Sequence, residues 1–163
     1  MSFIIRKGQK EDMKNVLRLI KELAEFEKLP NEVEITETDL LKDGFSDSPK
    51  FMTFVAEEEN EIVGATLFYE RYSTWKGRII HLEDLIVTEQ KRGLGIGMDL
   101  YKAVLKYGYD LGCKRVVWDV LDWNKPAIDF YKSTGATILD DWQVVHMRED
   151  ALQNFIKKNN ENL

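Results

Sequence analysis

The stretch Leu82-Glu83-Asp84-Leu85-Ile86-Val87-Thr88-Glu89-Gln90-Lys91-Arg92-Gly93-Leu94-Gly95-Ile96-Gly97 decides the fold that we predict. It begins as an apolar strand, passes through a short charged loop and enters a glycine-spaced turn that leads into a long amphipathic run. Such a junction exposes backbone N–H groups at the positive end of a helix. This geometry suits a phosphate group, and the acidic Glu83 lies upstream on the same strand.

The glycine spacing excludes two common nucleotide-binding signatures. The dinucleotide fingerprint Gly-x-Gly-x-x-Gly fails, because its last position is Met98 counted from Gly93 and Leu100 counted from Gly95. A P-loop fails because no Gly-Lys-Ser/Thr triplet occurs. What remains is a turn whose missing Cβ atoms let backbone N–H groups approach a pyrophosphate, with Lys91 and Arg92 as further positive charges. A tight strand-to-helix turn without a ligand is the alternative.

Length and composition predict one globular domain over residues 1–163. The chain is 44% hydrophobic and 32% charged, which is ordinary for a soluble protein with a proper core. No apolar run approaches the ~18 residues of a membrane span, and a net charge of −6 argues against general nucleic-acid binding. The single cysteine, Cys113, excludes an internal disulfide, so we expect a cytoplasmic protein.

The hydrophobic pattern predicts a mixed α/β order. The predicted strands are Phe3–Arg6, Met52–Glu57, Ile62–Tyr72, Arg78–Val87, Arg115–Leu121, Ala136–Asp141 and Trp142–Met147. The predicted helices are Glu11–Glu27, a brief helix from the Thr36 cap to Asp43-Gly44, Gly95–Leu111, Asn124–Thr134, and Glu149–Lys158 with a fraying tail at 159–162. Antiparallel strands followed by β-α-β alternation predict a mixed sheet with helices on both faces.

Motifs scattered over the chain resemble those of the GNAT superfamily of N-acetyltransferases. Arg92-x-x-Gly95-x-Gly97 after an apolar strand resembles the acyl-CoA signature of that superfamily. Further matches resemble its spermidine/spermine (diamine) N-acetyltransferase branch, which includes close relatives that acetylate thialysine; they are Leu19–Ala24, Asp39–Phe45, Leu82-Glu83-Asp84, Trp123-Asn124-x-Pro126 and Phe130-Tyr131-Lys132-x-x-Gly135-Ala136. The resemblance implies a single-domain, mostly antiparallel sheet that splays in the middle, where the pantetheine arm of acetyl-CoA inserts. It also implies a homodimer.

The resemblance further implies roles for individual residues. Tyr131 matches the general acid that protonates the departing thiolate, and Glu83 matches the residue that accepts the amine proton through water. The positions that match cofactor contacts are Leu85, Ile86, Val87, Arg92, Gly93, Leu94, Gly95, Ile96, Gly97, Met98, Asn124, Lys125, Pro126 and Ala127. The positions that match substrate contacts are Phe26, Glu27, Val117, Trp118 and Asp119.

The chemistry of amine acetylation is consistent with these residue types. Roughly one alkyl amine in a thousand is neutral at pH 7, so a carboxylate or a water must take a proton before attack on a thioester. A strand N–H near Leu85 would serve the oxyanion. A second ammonium would need anionic partners, for which Glu27, Asp84 and Asp119 are candidates. We therefore predict acetyl-CoA-dependent acetyl transfer to a primary amine of a small, cationic polyamine, diamine or lysine-like substrate.

Two other functions stay open at this point. A non-catalytic acyl-CoA-binding module would keep the glycine turn, although it needs neither Glu83 nor Tyr131. An acetyltransferase for a protein amine would need an open peptide groove, and Trp118 and the loops around Trp75 would compete for that space.

The histidines and the cysteine carry no predicted site. His81 and His146 lack partners at metal-ligand spacing, so we predict no metal, and we expect His81 to be a packed or surface residue. Cys113 is expected to be structural rather than a nucleophile. The segment Val117–Asp122 differs from the pattern of the spermidine enzyme, which leaves the preferred amine open.

Overall fold

The computed structural model describes residues 2–159 and is built around a five-stranded sheet. In sheet order, which is also chain order, the strands are β1 (Ile4–Lys7), β2 (Met52–Glu58), β3 (Glu61–Ser73), β4 (Gly77–Val87) and β5 (Val116–Val117). Neighbours from β1 to β4 pair antiparallel, whereas β5 runs parallel to β4. The predicted mixed, mostly antiparallel sheet is confirmed.

Five α-helices accompany the sheet in the described residues. They are α1 (Met13–Phe26), α2 (Glu37–Gly44), α3 (Ile96–Asp110), α4 (Lys125–Ser133) and α5 (Glu149–Asn159). A 3-10 turn at Lys10–Asp12 precedes α1, so the α-helix begins later than the predicted Glu11. None of the described helices combines the length and the apolar character of a membrane span. The tail predicted beyond residue 159 lies outside the described residues.

Local residues explain where α2 begins. The Oγ1 of Thr36 accepts the N–H of Asp39 at 3.2 Å, and the Asp39 carboxylate accepts the N–H of Thr36 at 2.8 Å. This reciprocal capping box satisfies backbone donors that the first turn of a helix leaves without partners. The predicted cap at Thr36 is confirmed.

Helices pack on both faces of the sheet. The α1 face is formed by α1, α2 and strand residues, namely Met13, Val16, Leu19, Leu40, Val55, Ile62, Ala65 and Ile86. The α3 face is formed by α3 and strand residues, namely Ile96, Leu100, Ala56 and Val63. Adjacent residues of β2, Val55 and Ala56, are both fully buried but belong to opposite faces, because side chains alternate along a strand.

The pairing of β4 with β5 is short. Ile80 pairs with Val116 and His81 with Val117, and the pairing ends there. The rest of β4, residues 82–87, pairs with β3 along one edge. Its other edge has no strand partner among the described residues, so the backbone groups there make no ladder hydrogen bonds. The predicted splay of the sheet corresponds to this opening between β4 and β5.

Predicted strands after residue 114 are wrong in whole or in part. Of the predicted Arg115–Leu121, only Val116–Val117 is a strand, and residues 136–147 contain no strand where the pattern predicts Ala136–Asp141 and Trp142–Met147. β-Branched and aromatic residues favour an extended backbone, but a strand forms only where a neighbour supplies hydrogen bonds. In this segment the side chain of Val145 is 87% exposed.

The structure divides into two compact units after Asp119. The first, Met1–Asp119, contains the whole sheet with α1, α2 and α3. The second, Val120–Leu163, contains α4 and α5. The single domain predicted over residues 1–163 stays a prediction.

Candidate active site

The glycine-rich turn forms the N-terminus of α3. Gly93 and Gly95 adopt left-handed φ angles of 77° and 85°, and a Cβ built at either position would meet nothing within 4 Å. The positive φ, rather than crowding, therefore requires glycine there. Gly95 is the N-cap and no side chain caps the helix, so the first-turn N–H groups at 96–98 remain available to an anion. This turn fits the pyrophosphate of an acyl-CoA.

The two basic residues before the turn are engaged by other elements. Lys91 forms an ion pair with the buried Glu58 of β2. Arg92 donates from Nε to the carbonyl oxygen of Val87 at 2.9 Å, and its guanidinium carbon lies 5.3 Å from the centre of the Phe26 ring. This is a cation–π distance, and it holds Arg92 between β4 and α1 beside the turn.

Glu22 of α1 fastens the segment that leads from β4 to the turn. Its Oε1 accepts the N–H of Glu89 at 2.8 Å, and its Oε2 accepts the hydroxyl of Thr88 at 2.9 Å. The Nη2 of Arg92 lies 4.0 Å from the same carboxylate. The sequence pattern does not single out Glu22, because nothing in it separates this residue from other charged residues on the helix.

A β-bulge interrupts the pairing of β3 with β4. Leu67 pairs with Asp84 and Phe68 pairs with Leu82, so Glu83 has no partner across the ladder. In a regular strand, Leu82 and Asp84 would share a face. Here Phe68 contacts an aromatic ring of α3, whereas Leu67 packs against the α1 face. The bulge therefore turns Asp84 to the α1 face while Leu82 stays on the α3 face.

Glu83 is held by side chains that pair across the same two strands. The Tyr69 hydroxyl donates to Glu83 Oε2 at 3.0 Å, and Nε2 of His81 lies 3.4 Å from that oxygen. Tyr69 and His81 are cross-strand partners, and their rings stack with centroids 5.1 Å apart. Burial and the hydrogen bond to Glu83 raise the pKa of Tyr69, so the phenol keeps its proton. The Glu83 side chain itself is 52% exposed.

Three carboxylates, Glu27, Glu83 and Asp84, form what we call the acidic cluster. Burial, followed by repulsion from Glu83 and Glu27, raises the pKa of Asp84 to about 6. Burial also raises the pKa of Glu27. Mutual repulsion of this kind disfavours the charged forms until a cation binds between them. The structure thus brings together three of the residues that the sequence predicts for the substrate.

The end of α1 places Glu27 in the cluster. Backbone hydrogen bonds beyond Phe26 form a Schellman motif that stops the helix at Glu27, with Lys28 in the left-handed region at a φ of 64°. Phe26 contacts Arg92, whereas Glu27 raises the pKa of Asp84. One helix therefore contacts both the glycine-turn side and the carboxylate side of the site.

The predicted substrate strand lies next to the Tyr69–His81 pair. Val117 pairs with His81, and the negative charge of Asp119 acts on Tyr69. Trp118 is half-buried and meets the ring of Tyr101 on α3 edge-on, with centroids 5.6 Å apart.

The other predicted residues lie in the second unit. Asn124 caps α4, since its side-chain oxygen accepts the N–H of Ala127 at 3.3 Å. Lys125 begins the helix and Pro126 lies in its first turn, where a missing N–H is tolerated. Tyr131 lies on α4, half-buried and edge-on to Phe130, with ring centroids 5.2 Å apart.

The sequence indicates the pairing of Tyr69 with His81 only weakly. Tyr69 and His81 lie equally far from Trp75 along the chain, so a hairpin that turns there pairs them. The expectation of a packed His81 agrees with a side chain that is only 13% exposed, but this packing also brings it to Glu83. In the part of the chain that the structure describes, no three His, Cys, Asp or Glu side chains group as metal ligands would.

Known acetyltransferases resemble the chain over most of its length. Residues 16–136 match the Acetyltransferase (GNAT) family. This chain belongs to the GNAT acetyltransferase family. The acetyltransferase is 41% identical to a thialysine N-epsilon-acetyltransferase of Bos taurus, over 97% of this chain and 100% of the relative. It is 36% identical to spermidine/spermine N(1)-acetyltransferase-like protein 1 of Homo sapiens, over 89% of this chain and 22% of the relative.

A solved structure supports the fold of this acetyltransferase. An integron cassette protein from the mobile metagenome of V. cholerae matches with a TM-score of 0.79, over 96% of this chain and 99% of that chain, at 23% identity. At this identity the likeness shows the fold alone. The family and the relatives show that the acetyltransferase is an acyltransferase of the kind that uses acetyl-CoA.

Proposed function

We propose that the protein transfers the acetyl group of acetyl-CoA to a primary amine of a small polyamine, diamine or lysine-like substrate such as thialysine. The observation that carries this proposal is the acidic cluster, in which Glu83 and Asp84 lie on the strand that leads into the glycine turn and Glu27 lies at the end of α1. The relatives named thialysine N-epsilon-acetyltransferase and spermidine/spermine N(1)-acetyltransferase-like protein 1 support the same class of acceptor.

The acidic cluster suits an acceptor that carries two positive charges. A reacting amine next to Glu83 leaves Glu27 and Asp84 to pair with a second ammonium group. The pKa of Asp84 is raised by burial and then by repulsion from Glu83 and Glu27, and binding of that group would relieve the repulsion. Asp119 is a further candidate for the second cation, with Phe26, Val117 and Trp118 as the apolar lining.

Glu83 is the residue that we propose to accept the proton of the amine, directly or through water. Because only about one alkyl amine in a thousand is neutral at pH 7, proton removal must accompany attack. The carboxylate of Glu83 is half-exposed and therefore accessible to an amine or a water.

The glycine turn is the part that we propose to hold the cofactor. Acetyl-CoA supplies a thioester whose acetyl group is the one transferred. Gly93 to Met98 would bind its pyrophosphate, since the positive φ angles and the uncapped helix leave backbone N–H groups available. Arg92 and the residues Asn124 to Ala127 would add contacts, and the open edge of β4 at Leu85 to Val87 would pair with the pantetheine arm.

Tyr131 is the proposed general acid. As the amine nitrogen bonds to the acetyl carbon, the bond from that carbon to sulfur breaks, and Tyr131 donates its proton to the sulfur. The ammonium group gives one proton to Glu83 before attack, and its nitrogen loses a second proton as the amide forms, which restores the proton of Tyr131. The products are then the amide, the CoA thiol and one proton that passes from Glu83 to solvent. A backbone N–H of β4 would stabilise the negative charge that develops on the carbonyl oxygen. None of these steps calls on a metal ion.

We also propose that the acetyltransferase is a cytoplasmic homodimer without a nucleic-acid or membrane partner. Apolar side chains of residues 136–147 support a second copy as a partner, since several are exposed, namely Leu139, Trp142, Val144, Val145 and Met147. A lone Cys113 is compatible with a reducing compartment. Size-exclusion chromatography with light scattering would give twice the chain mass, and a monomer at micromolar concentration would contradict the dimer.

Release of the CoA thiol tests the proposed reaction. The purified protein is mixed with acetyl-CoA and, separately, with spermidine, putrescine, thialysine, lysine and a lysine-rich peptide. We expect thiol release with at least one of the small dicationic amines. Release with the peptide alone would favour a protein acceptor, and acetyl-CoA binding without any release would favour a regulatory module; either result would overturn the proposal.

A further inference from the structure

We propose that Tyr69 is a positioning residue that orients Glu83 for proton transfer, with His81 as its support; this inference rests on the proposed function. The Tyr69 hydroxyl and Nε2 of His81 approach one oxygen of Glu83, Oε2, at 3.0 and 3.4 Å. Oε1 makes neither contact. One oxygen of the carboxylate is thus fixed, and the other is left to face the acceptor amine or its water.

Glu83 needs such a support because, among the described residues, no other hydrogen bond or ion pair holds its side chain. The bulge leaves it without a cross-strand partner, and the side chain is 52% exposed. Ordering a glutamate side chain costs rotamer entropy. The Tyr69 hydroxyl on the neighbouring strand orders the side chain before the substrate arrives, so the carboxylate is already oriented when the amine binds.

His81 supports Tyr69 by ring stacking. The two rings stack at 5.1 Å with an angle of 20° between their planes. Nδ1 of His81 is buried and has no hydrogen-bond partner among the described residues. The other ring nitrogen, Nε2, is the one that lies 3.4 Å from Oε2 of Glu83. His81 therefore packs against both members of the pair, and the Tyr69 hydroxyl is the hydrogen-bond donor to Oε2.

The charges that surround this group come from several elements. Asp84 follows Glu83 on β4, and Glu27 acts on Asp84 from the end of α1. Arg71 of β3 and Asp119 beyond β5 both act on Tyr69, with opposite effects on its pKa. Anions thus outnumber cations among these groups, and the Tyr69 hydroxyl is the hydrogen-bond donor that holds Glu83.

Tyr69→Phe tests the role because it removes the hydroxyl and keeps the ring that stacks on His81. We expect kcat for amine acetylation to fall about tenfold, corresponding to about 1.4 kcal/mol, with an unchanged dissociation constant for acetyl-CoA. The acidic limb of the pH–rate profile should move to higher pH, because the ionised carboxylate loses a donor. Tyr72→Phe, on the same strand and 75% exposed, is the matched control and should leave both readouts unchanged.

A double variant separates positioning from a general structural effect. In a Glu83→Gln background, Tyr69→Phe should cause little further loss of kcat, because its effect passes through Glu83. Ultraviolet titration, taken as the difference from Tyr69→Phe, gives a readout that needs no activity. The Tyr69 phenol should ionise at lower pH in Glu83→Gln, since the Glu83 carboxylate raises its pKa.

The outcomes also distinguish this inference from the proposed function. An unchanged kcat and pH profile in Tyr69→Phe, alongside a loss in Glu83→Gln, would overturn the role of Tyr69 alone. Additive losses in the double variant would do the same. Full activity of Glu83→Gln would overturn Glu83 as proton acceptor, and the absence of acetyl transfer by the unsubstituted protein would overturn the proposed function and this role with it.

Discussion

The carboxylate of Glu22 accepts the backbone N–H of Glu89 at 2.8 Å and so joins α1 to the segment that leads into the glycine turn. The same helix sets Phe26 against Arg92 and ends at Glu27 in the acidic cluster. Because a helix moves largely as one body, we expect α1 to couple the cofactor site to the amine site.

Glu22→Ala should weaken acetyl-CoA binding. The substitution removes two hydrogen bonds to the segment before the turn, each worth about 1 kcal/mol, so an increase in Kd of up to about 30-fold is expected. Isothermal titration calorimetry with acetyl-CoA measures it. Glu25→Ala, an exposed change on the same helix, is the control and should bind normally. If both variants bind like the unsubstituted protein, Glu22 does not organise the turn.

Gly95→Ala should also reduce acetyl-CoA affinity, and Gly77→Ala should not. Both glycines have positive φ, 85° and 76°, and an added Cβ would meet nothing within 4 Å at either position. Each substitution should therefore cost a similar ~1–2 kcal/mol of stability through backbone strain. Thermal unfolding gives that common loss, and calorimetry gives the difference in binding. Equal weakening by the two variants would place the cofactor elsewhere.

Asp84→Asn should stabilise the fold at neutral pH. The pKa of Asp84 is about 6 in the folded protein, above the ordinary 3.8, so the folded state binds its proton more tightly than the unfolded state does. The contribution of Asp84 to the free energy of unfolding therefore falls as the pH rises from about 4 to about 6, and it stays low at higher pH. Asparagine does not ionise, so the variant should gain ~1–3 kcal/mol at pH 7 and almost nothing at pH 4.

Urea unfolding of the Asp84→Asn variant at the two pH values checks this sign. Asp39→Asn provides the contrast, because the hydrogen bonds from Thr36 lower the pKa of Asp39. Loss of this carboxylate should therefore destabilise the fold more at pH 7 than at low pH. The KM for a diamine should rise in Asp84→Asn, because the variant loses a carboxylate that we propose to bind the second ammonium group. Such binding would explain why a carboxylate that destabilises the free protein is retained. A gain in stability of equal size at pH 4 and pH 7 would contradict the account.

Tyr131→Phe should lower kcat by about 10²-fold with little effect on the Kd for acetyl-CoA, because it removes only the proton donated to the departing sulfur. Steady-state kinetics and calorimetry give the two quantities. Tyr109→Phe, on the exposed face of α3, is a matched loss of a phenol and should be silent. A Tyr131→Phe enzyme with undiminished kcat would remove Tyr131 as the acid.

The elements that the sequence predicts correctly are those fixed by nearby residues. The stripe of α1 and the capping box between Thr36 and Asp39 depend on residues within a turn or two of each other. The extended segments after residue 114 depend instead on a partner strand that their own residues do not specify. Val116 and Val117 find that partner in β4, whereas residues 136–147 find none within the described chain.

The same distinction applies to the site. Glu27 and Glu83 are singled out by resemblance, but their approach to Asp84 depends on a helix stop at Glu27 and on a bulge in β4. A bulge adds one residue without changing the hydrophobic pattern, so the pattern assigns Leu82 and Asp84 to one face. Tyr69 pairs with His81 on the far side of the bulge, and it reaches Glu83 only in that register.

The relative rates of thiol release with 1,4-diaminobutane and with 1-aminobutane test the central claim most directly. The two amines differ in one terminal ammonium, which is the group that the acidic cluster is proposed to bind. The account predicts a kcat/KM at least about tenfold higher for the diamine, equivalent to about 1.4 kcal/mol, and a smaller preference in Glu27→Gln. Equal kcat/KM values for the two amines in the unsubstituted enzyme would contradict it.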